Sequence, residues 1–368
     1  MIVGVPKEIK KQENRVGLVP ASVKEYVKNG HEVLVQSGAG AGIGAGDDVY
    51  KNAGATLIDS AEDVFNRADM IVKVKEPQAL EWKQLREGQI LYTYLHLAPD
   101  PDQTRGLIES GCTAIAYETV TDDSGGLPLL APMSEVAGRL SIQVAAQSLE
   151  KHNGGKGLLM GGVPGVAPAR VVVIGGGNVG TNAARMAVGM GANVSILDRS
   201  IDRLRELDDL FQGRVKTLYS TLGTLEEEVA ASDVIIGAVL IPGASAPRLV
   251  TRDMLSTIED GSVMVDVAID QGGCFETSKA TTHAEPTYIV DGVVHYCVAN
   301  MPGAVAKTSS FALNNATLQH GLALANKGLD ALANPHLMEG LNVHAGKITN
   351  RAVAESLDAD YEPMNRVA

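Results

Sequence analysis

Between Arg170 and Ser200 the chain reads RVVVIGGGNVGTNAARMAVGMGANVSILDRS, and this stretch restricts the fold more than any other. The run ARVVVI is short, apolar and β-branched, as in a strand buried on both faces. Glycines follow at once at Gly175, Gly177 and Gly180, then a helical pattern, TNAARMAVGMG, then a second apolar run, NVSILD, ending in Asp198. The first glycine permits a tight turn, the second lets a pyrophosphate approach the backbone, and the third lets helix and strand pack closely. The helix N-terminus then offers its free N–H groups to an anion. Asp198 stands 23 positions beyond Gly175 (198 − 175), where a carboxylate can accept from both ribose hydroxyls. Strand, glycines, helix, strand and acid in this order predict a dinucleotide-binding unit. An acid at that place repels a 2′-phosphate, so NAD is expected over NADP, and Arg199 and Arg203 are the cations that temper the preference. The glycines of GAGAGIGAG, Gly38 to Gly46, never take this spacing and no Lys-Ser/Thr follows them, so a flexible loop is expected there.

The turn comes almost halfway along 368 residues, a length suited to two domains. Before it, the apolar runs MIVGVP, HEVLVQSG, DMIVKV, QILYTYL and CTAIAYETV alternate with the helical patterns PASVKEYVKNG, SAEDVFNRA and PDQTRGLIESG. That alternation predicts a mostly parallel sheet covered by helices. A long helix is expected from about Ser134, a capping-type serine, to the pair Gly154-Gly155. After the turn, strands are expected at NVSILD, RVKTLYS, DVIIGAVL, SVMVDVAID and VHYCVAN. Beyond Pro302 the chain reads as helix, with no further strands of weight. The expected fold is therefore α/β, two doubly wound Rossmann-like domains. Residues 1–130 with 306–368 form a discontinuous substrate domain, a cofactor domain at 131–305 is inserted, and a cleft lies between them.

Composition narrows the function. A net charge of −13 argues against nucleic acid or an anionic membrane as partner, since both need a basic face. The residues after Met1 lack the apolar core and cleavage site of a signal peptide, so none is expected, and every uncharged stretch is short and broken by Gly or Pro, so no membrane span is expected. Cys112, Cys274 and Cys297 are scattered and odd in number, with no CxxC pair. They predict neither a metal site nor a disulfide frame and fit a reducing cytoplasm.

Three basic groups stand at the ends of early apolar runs: Arg15 in KQENRVGLVP, Lys75 in IVKVKEPQ and His96 in ILYTYLHLAPD. Asp270 ends VMVDVAID in the same manner. In open α/β sheets ligands lie beyond the carboxyl ends of strands, so these four are candidate chemistry. Plainer readings stand beside them. Arg15 can be a surface residue among charges, Lys73 and Lys75 a solvated edge, His96 a core histidine and Asp270 a turn cap.

Here the chain resembles a known family. GVPKEIKKQENRVGLVP, VKVKEP, YLHLA, APMSEVAGRLS, VVVIGGGNVG, VDVAIDQGGCFETS and VANMPGAV run in order over nearly its whole length and resemble the alanine dehydrogenase / pyridine nucleotide transhydrogenase family. The resemblance implies that Arg15 and Lys75 bind substrate and that His96 and Asp270 are catalytic. It implies a cofactor lining of Ser134, Asn178, Val179, Asp198, Arg203, Ser220, Val239, Leu240, Val267, Ala268, Ile269, Asp270, Lys279, Val298, Ala299, Asn300 and Met301. It also implies oxidation of L-alanine by NAD to pyruvate and ammonium, and a homohexamer. Rival readings are an NAD(H)-binding transhydrogenase subunit, a saccharopine dehydrogenase and a non-enzymatic NAD(H) sensor.

Overall fold

The computed structural model describes residues 1–239 and 246–364. Two compact units emerge, one made of Met1–Met133 with Val305–Ala368, the other of Ser134–Ala304. In chain order the first unit contributes β1 (Ile2–Val5), β2 (Glu32–Gln36), β3 (Thr56–Ile58), β4 (Met70–Val72), β5 (Ile90–Thr93) and β6 (Thr113–Ala116). These pair in parallel in the order β6-β5-β4-β1-β2-β3. The central strands are short Val- and Ile-rich runs because both their faces are covered.

The helices between them carry the punctuation the sequence announces. Pro20–Lys28 opens on a proline, whose missing N–H costs nothing in a first turn. The Ser60 hydroxyl accepts from Asp63 N–H to cap Ala61–Arg67, and the Asp100 carboxylate accepts from Gln103 N–H to cap Pro101–Ser110. Val64, Phe65 and Leu107 from two of these helices pack with Ile71 and Leu91 on one face of the sheet.

The second unit holds β7 (Arg170–Ile174), β8 (Asn193–Asp198), β9 (Val215–Tyr219), β10 (Val234–Gly237), β11 (Val263–Asp266), β12 (Thr287–Val290) and β13 (Val293–Tyr296). Their order is β12-β13-β11-β10-β7-β8-β9, parallel throughout except for β12 at the edge.

The chain then returns to the first unit through the helix Ala306–Lys327. This helix covers the other face of the first sheet: the Tyr92 hydroxyl donates to the Thr317 carbonyl at 3.2 Å. Gly321 is required there, because a Cβ would collide with the Tyr26 hydroxyl.

Several expectations need correction. Strands do follow Pro302: β14 (Leu341–His344) adds antiparallel to β6, and β15 (Lys347–Ile348) pairs with β14. They are too short to carry a periodic signal, and β14 gains its partner β6 from residues more than 200 positions away. The long helix runs Ala131–Ser148, so Ser134 lies inside its first turn and does not cap it. Pro132 is accommodated because that turn needs no N–H there. The segment Gly38 to Gly46 is a packed turn built around Ala41–Ile43. A Cβ at Gly40 would strike the Tyr50 ring and one at Gly42 the Asn14 carbonyl.

Candidate functional site

In the first sheet the strand order reverses at β1, whose neighbours are β2 and β4. Loops leaving β1 and β4 diverge at such a switch point and open a crevice at the carboxyl edge. Arg15 lies in the loop after β1, Lys75 in the segment after β4, and His96 just past β5. The structure thus brings the three to the carboxyl ends of adjacent strands, ordered β5-β4-β1.

Arg15 is 3% exposed, which excludes the surface reading. Its Nε and Nη2 donate to the two oxygens of Glu13 at 2.7 and 2.6 Å, and its Nη1 reaches Met133 Sδ at 3.3 Å. Burial opposes the guanidinium charge, but the Glu13 carboxylate outweighs it and holds the group even more firmly protonated than usual. The loop is moored to the helix Ala306–Lys327, where Val16 N–H donates to Ser310 Oγ and Val19 N–H to Asn314 Oδ1.

Lys75 keeps a side-chain exposure of 12%, and its Nζ stands 3.7 Å from Glu76 Oε2. Glu76 also pairs with Lys10. Burial alone would raise the Glu76 carboxyl, yet Lys75 and Lys10 together hold it below the usual range. Lys73, which the alternating pattern left open as a solvated edge, is fully buried between Glu8 and Glu81.

His96 adopts φ +49°, a left-handed conformation that costs a non-glycine residue energy. Glu118, absent from the sequence reading, holds it there. Its carboxylate accepts from His96 N–H at 2.6 Å and from Leu95 N–H at 3.1 Å, and its Oε1 lies 3.9 Å from His96 Nδ1. The imidazole lies nearly parallel to the Tyr94 ring, 9° between planes and 5.8 Å between centroids. It remains 43% exposed by side chain, so it is not a core histidine. Burial pushes the Tyr94 hydroxyl far above its ordinary range, and it donates to the Leu129 carbonyl at 2.6 Å.

In the second unit the order reverses at β7, between β8 and β10, and the glycine turn sits at that switch point. Gly175 has φ +101°, and a Cβ there would press on the Ala238 carbonyl. A Cβ at Gly180 would overlap the Gly175 carbonyl oxygen, which is the close helix–strand packing the motif requires. At Gly177 no atom lies within 4 Å of such a Cβ, and no side chain caps the helix Asn178–Gly189. That open, uncapped helix end suits a pyrophosphate, so the residues present fit NAD.

Asp198 accepts from Gly176 N–H through Oδ2 and from Ser200 N–H through Oδ1, leaving further lone pairs for a ribose. Arg203 is tied into the glycine turn. Its Nε donates to the Gly176 carbonyl at 2.7 Å and its Nη2 to Thr181 Oγ1 at 2.8 Å, while Nη1 pairs with Glu206. Acid and guanidinium therefore hold Gly176 at its N–H and at its carbonyl.

The other expected cofactor residues distribute along the same carboxyl edge. Ser220 follows β9 and Val239 follows β10, while Val298, Ala299, Asn300 and Met301 follow β13. Ser134 lies one turn before Gly138, which abuts the Val179 carbonyl in the helix that follows the glycine turn. Lys279 is exposed, and its backbone N–H donates to the Tyr288 hydroxyl at 2.7 Å. Leu240 lies outside the described residues.

Asp270 does not end a strand: β11 stops at Asp266, and Asp270 is exposed in the 3₁₀ turn Ile269–Gln271. Asp266 explains the stop. This buried carboxylate accepts from Ala268 N–H, Cys274 N–H and Ser278 Oγ at 3.1, 2.8 and 2.5 Å, and so shapes the turn that carries Val267, Ala268, Ile269 and Asp270. Its only sequence signal is an acid closing an apolar run, a signal Asp198 shares.

Comparison with known proteins agrees over the full length. The models named "Alanine dehydrogenase/PNT, N-terminal domain" and "Alanine dehydrogenase/PNT, C-terminal domain" match residues 4–137 and 141–351. An alanine dehydrogenase of Halomonas elongata is 62% identical over 98% of both chains. One of Methanococcus maripaludis is 54% identical over 100% of this chain and 99% of its own. A solved L-alanine dehydrogenase superposes with TM-score 0.95 at 52% identity, covering 97% of this chain and 99% of that one. A transhydrogenase from Sinorhizobium meliloti superposes at 0.82 with 27% identity, covering 96% and 100%.

Proposed function

The chain belongs to the alanine dehydrogenase/PNT family, and from that premise we propose that it oxidises L-alanine reversibly to pyruvate and ammonium with NAD. What supports this most is the set of three basic side chains, Arg15, Lys75 and His96, on adjacent strand ends in one unit, in a chain whose other unit carries an NAD-type turn. The transhydrogenase reading is weaker, since identity to that structure is 27% against 62% to an alanine dehydrogenase.

NAD, when bound, supplies the hydride acceptor. Arg15 binds the substrate carboxylate, its planar fork already oriented by Glu13. After hydride leaves the α-carbon, water adds to the substrate iminium. Lys75 stabilises the oxygen of the carbinolamine and of the carbonyl that replaces it. His96, half exposed and set on Tyr94, takes the proton from the added water and returns one to the departing amine. Asp270 orients the amine. Asp198 receives the ribose hydroxyls, and the uncapped helix end at Gly177 receives the pyrophosphate. We also propose a homohexamer working in the cytoplasm, on the family resemblance. No described helix is long and apolar enough to cross a membrane.

The test is direct. L-alanine with NAD at alkaline pH should yield NADH, and pyruvate with ammonium should consume it. No NADH signal in either direction from folded protein would overturn the reading.

A further inference from the structure

Lys73 has no part in the mechanism, yet it is completely buried. Its Nζ donates to Glu8 Oε2 at 2.9 Å and to Glu81 Oε1 at 2.7 Å, both carboxylates being almost fully buried too. Each acid spends its second oxygen on the main chain. Glu8 Oε1 accepts from Val74 N–H at 2.7 Å, and Glu81 Oε2 from Gln78 N–H at 2.8 Å. One buried cation thus joins the loop after β1, the segment after β4 and the short helix Ala79–Trp82. Burial works against the Lys73 charge, and the two carboxylates overcome it and keep the ammonium protonated.

A buried ion network is a costly way to hold a fold, since apolar groups of equal volume are often as stabilising. Its location supplies the reason for it. Val74 immediately precedes Lys75, and Glu8 belongs to the loop that carries Arg15. That loop presses on β4 at Gly17, where a Cβ would collide with the Val72 carbonyl. Further ties hold the same backbone: Lys73 N–H donates to the Tyr92 carbonyl at 3.2 Å, and the Tyr117 hydroxyl donates to the Lys73 carbonyl at 3.0 Å.

We propose that Glu8, Lys73 and Glu81 are positioning residues, a buried staple that sets the Arg15 loop against the Lys75 segment in the geometry that binds substrate. The inference rests on the reading of Arg15 and Lys75 as substrate-binding residues.

The triad lies wholly in the first unit, so NADH affinity provides an internal control. Glu81→Gln keeps the acceptor for Gln78 N–H and turns an amide toward the Lys73 ammonium. It should raise the KM for L-alanine and pyruvate on the order of tenfold to a hundredfold, the usual cost of misplacing a binding group. The NADH Kd, read by fluorescence titration, should stay within about twofold, since the change lies outside the cofactor contacts. Glu8→Gln and Lys73→Arg are read in the same way.

A lowered thermal midpoint with unchanged KM in folded variants would assign the triad to stability alone and overturn the proposal. So would failure of all three variants to fold into an NADH-binding protein. Lys75→Ala and Arg15→Lys are measured alongside. If these leave KM unchanged, the substrate-binding reading falls and takes the proposal with it. If they raise KM while the triad variants do not, only the proposal falls.

Discussion

Each of the three basic side chains of the candidate site comes with a carboxylate that shapes it: Glu13 for Arg15, Glu76 for Lys75 and Glu118 for His96. The pairing keeps the site from being a bare positive cluster and gives each side chain a defined orientation before substrate arrives. Arg15→Lys loses the two-pronged contact to Glu13, so the apparent KM for alanine and pyruvate should rise more than kcat falls. Steady-state kinetics at saturating NAD checks this, and an unchanged KM would remove Arg15 from the carboxylate site. His96→Ala should lower kcat by roughly two to four orders of magnitude, the usual contribution of a general acid–base. The control is NADH binding, which should be unaffected. Near-normal turnover would refute the role of His96.

Among the elements, the turn after β7 is the most heavily determined. Within it, Gly176 is held by Asp198 at its N–H and by Arg203 and Thr181 at its carbonyl. Asp198→Ala should therefore weaken NADH, narrow its lead over NADPH and loosen the turn. The loss of a buffering acceptor for Gly176 N–H adds about 1–3 kcal/mol of instability. A variant with unaltered cofactor selectivity would show that the acid does not choose between the two. Gly180→Ala is harsher, because its Cβ would overlap the Gly175 carbonyl. NADH binding measured by calorimetry should be lost. The glycine pattern announces this geometry because it is local, with strand, turn and helix contiguous in the chain. Edge strands had no such signal. β3, β14 and β15 are short, and β12 alternates half-buried with exposed positions, so their existence depends on the neighbour they pair with.

For the molecule as a whole, mild acid should be destabilising through its buried histidines. Burial lowers His31, His295 and His320 below 6.5, so the unfolded chain takes up these protons first. Stability is then fully present above about pH 6.5 and is lost as pH falls toward the folded-state values, by up to about 1.4 kcal/mol per pH unit for each histidine. Glu76, held low by its lysines, adds to the loss once pH falls below the ordinary 4.5, while Glu8 and Asp266, raised by burial, take up their protons earlier in the folded state and oppose it. His295 is the clearest probe. It is fully buried, with Nδ1 against the Val293 carbonyl at 3.0 Å and Nε2 against Thr277 Oγ1 at 2.7 Å. Thermal midpoints should drop between pH 7.5 and 5.5, and His295→Gln should flatten that slope. An equal slope in the variant would show that His295 does not contribute.

The residue order alone was enough for a parallel α/β chain, a dinucleotide turn after a central strand and basic groups at strand ends. Those features are written in neighbouring positions, as periodicity, glycine spacing and the last residue of an apolar run. It could not say which of Lys73 and Lys75 faces a site, because two lysines at i and i+2 look alike until the strand has ended and neighbours are in place. Nor could it supply Glu118 for His96, 22 positions on, or Glu8 for Lys73, 65 positions back. Charge pairs and hydrogen bonds act through space with steep distance dependence, so their partners exist only once the sheet has brought its carboxyl edges together.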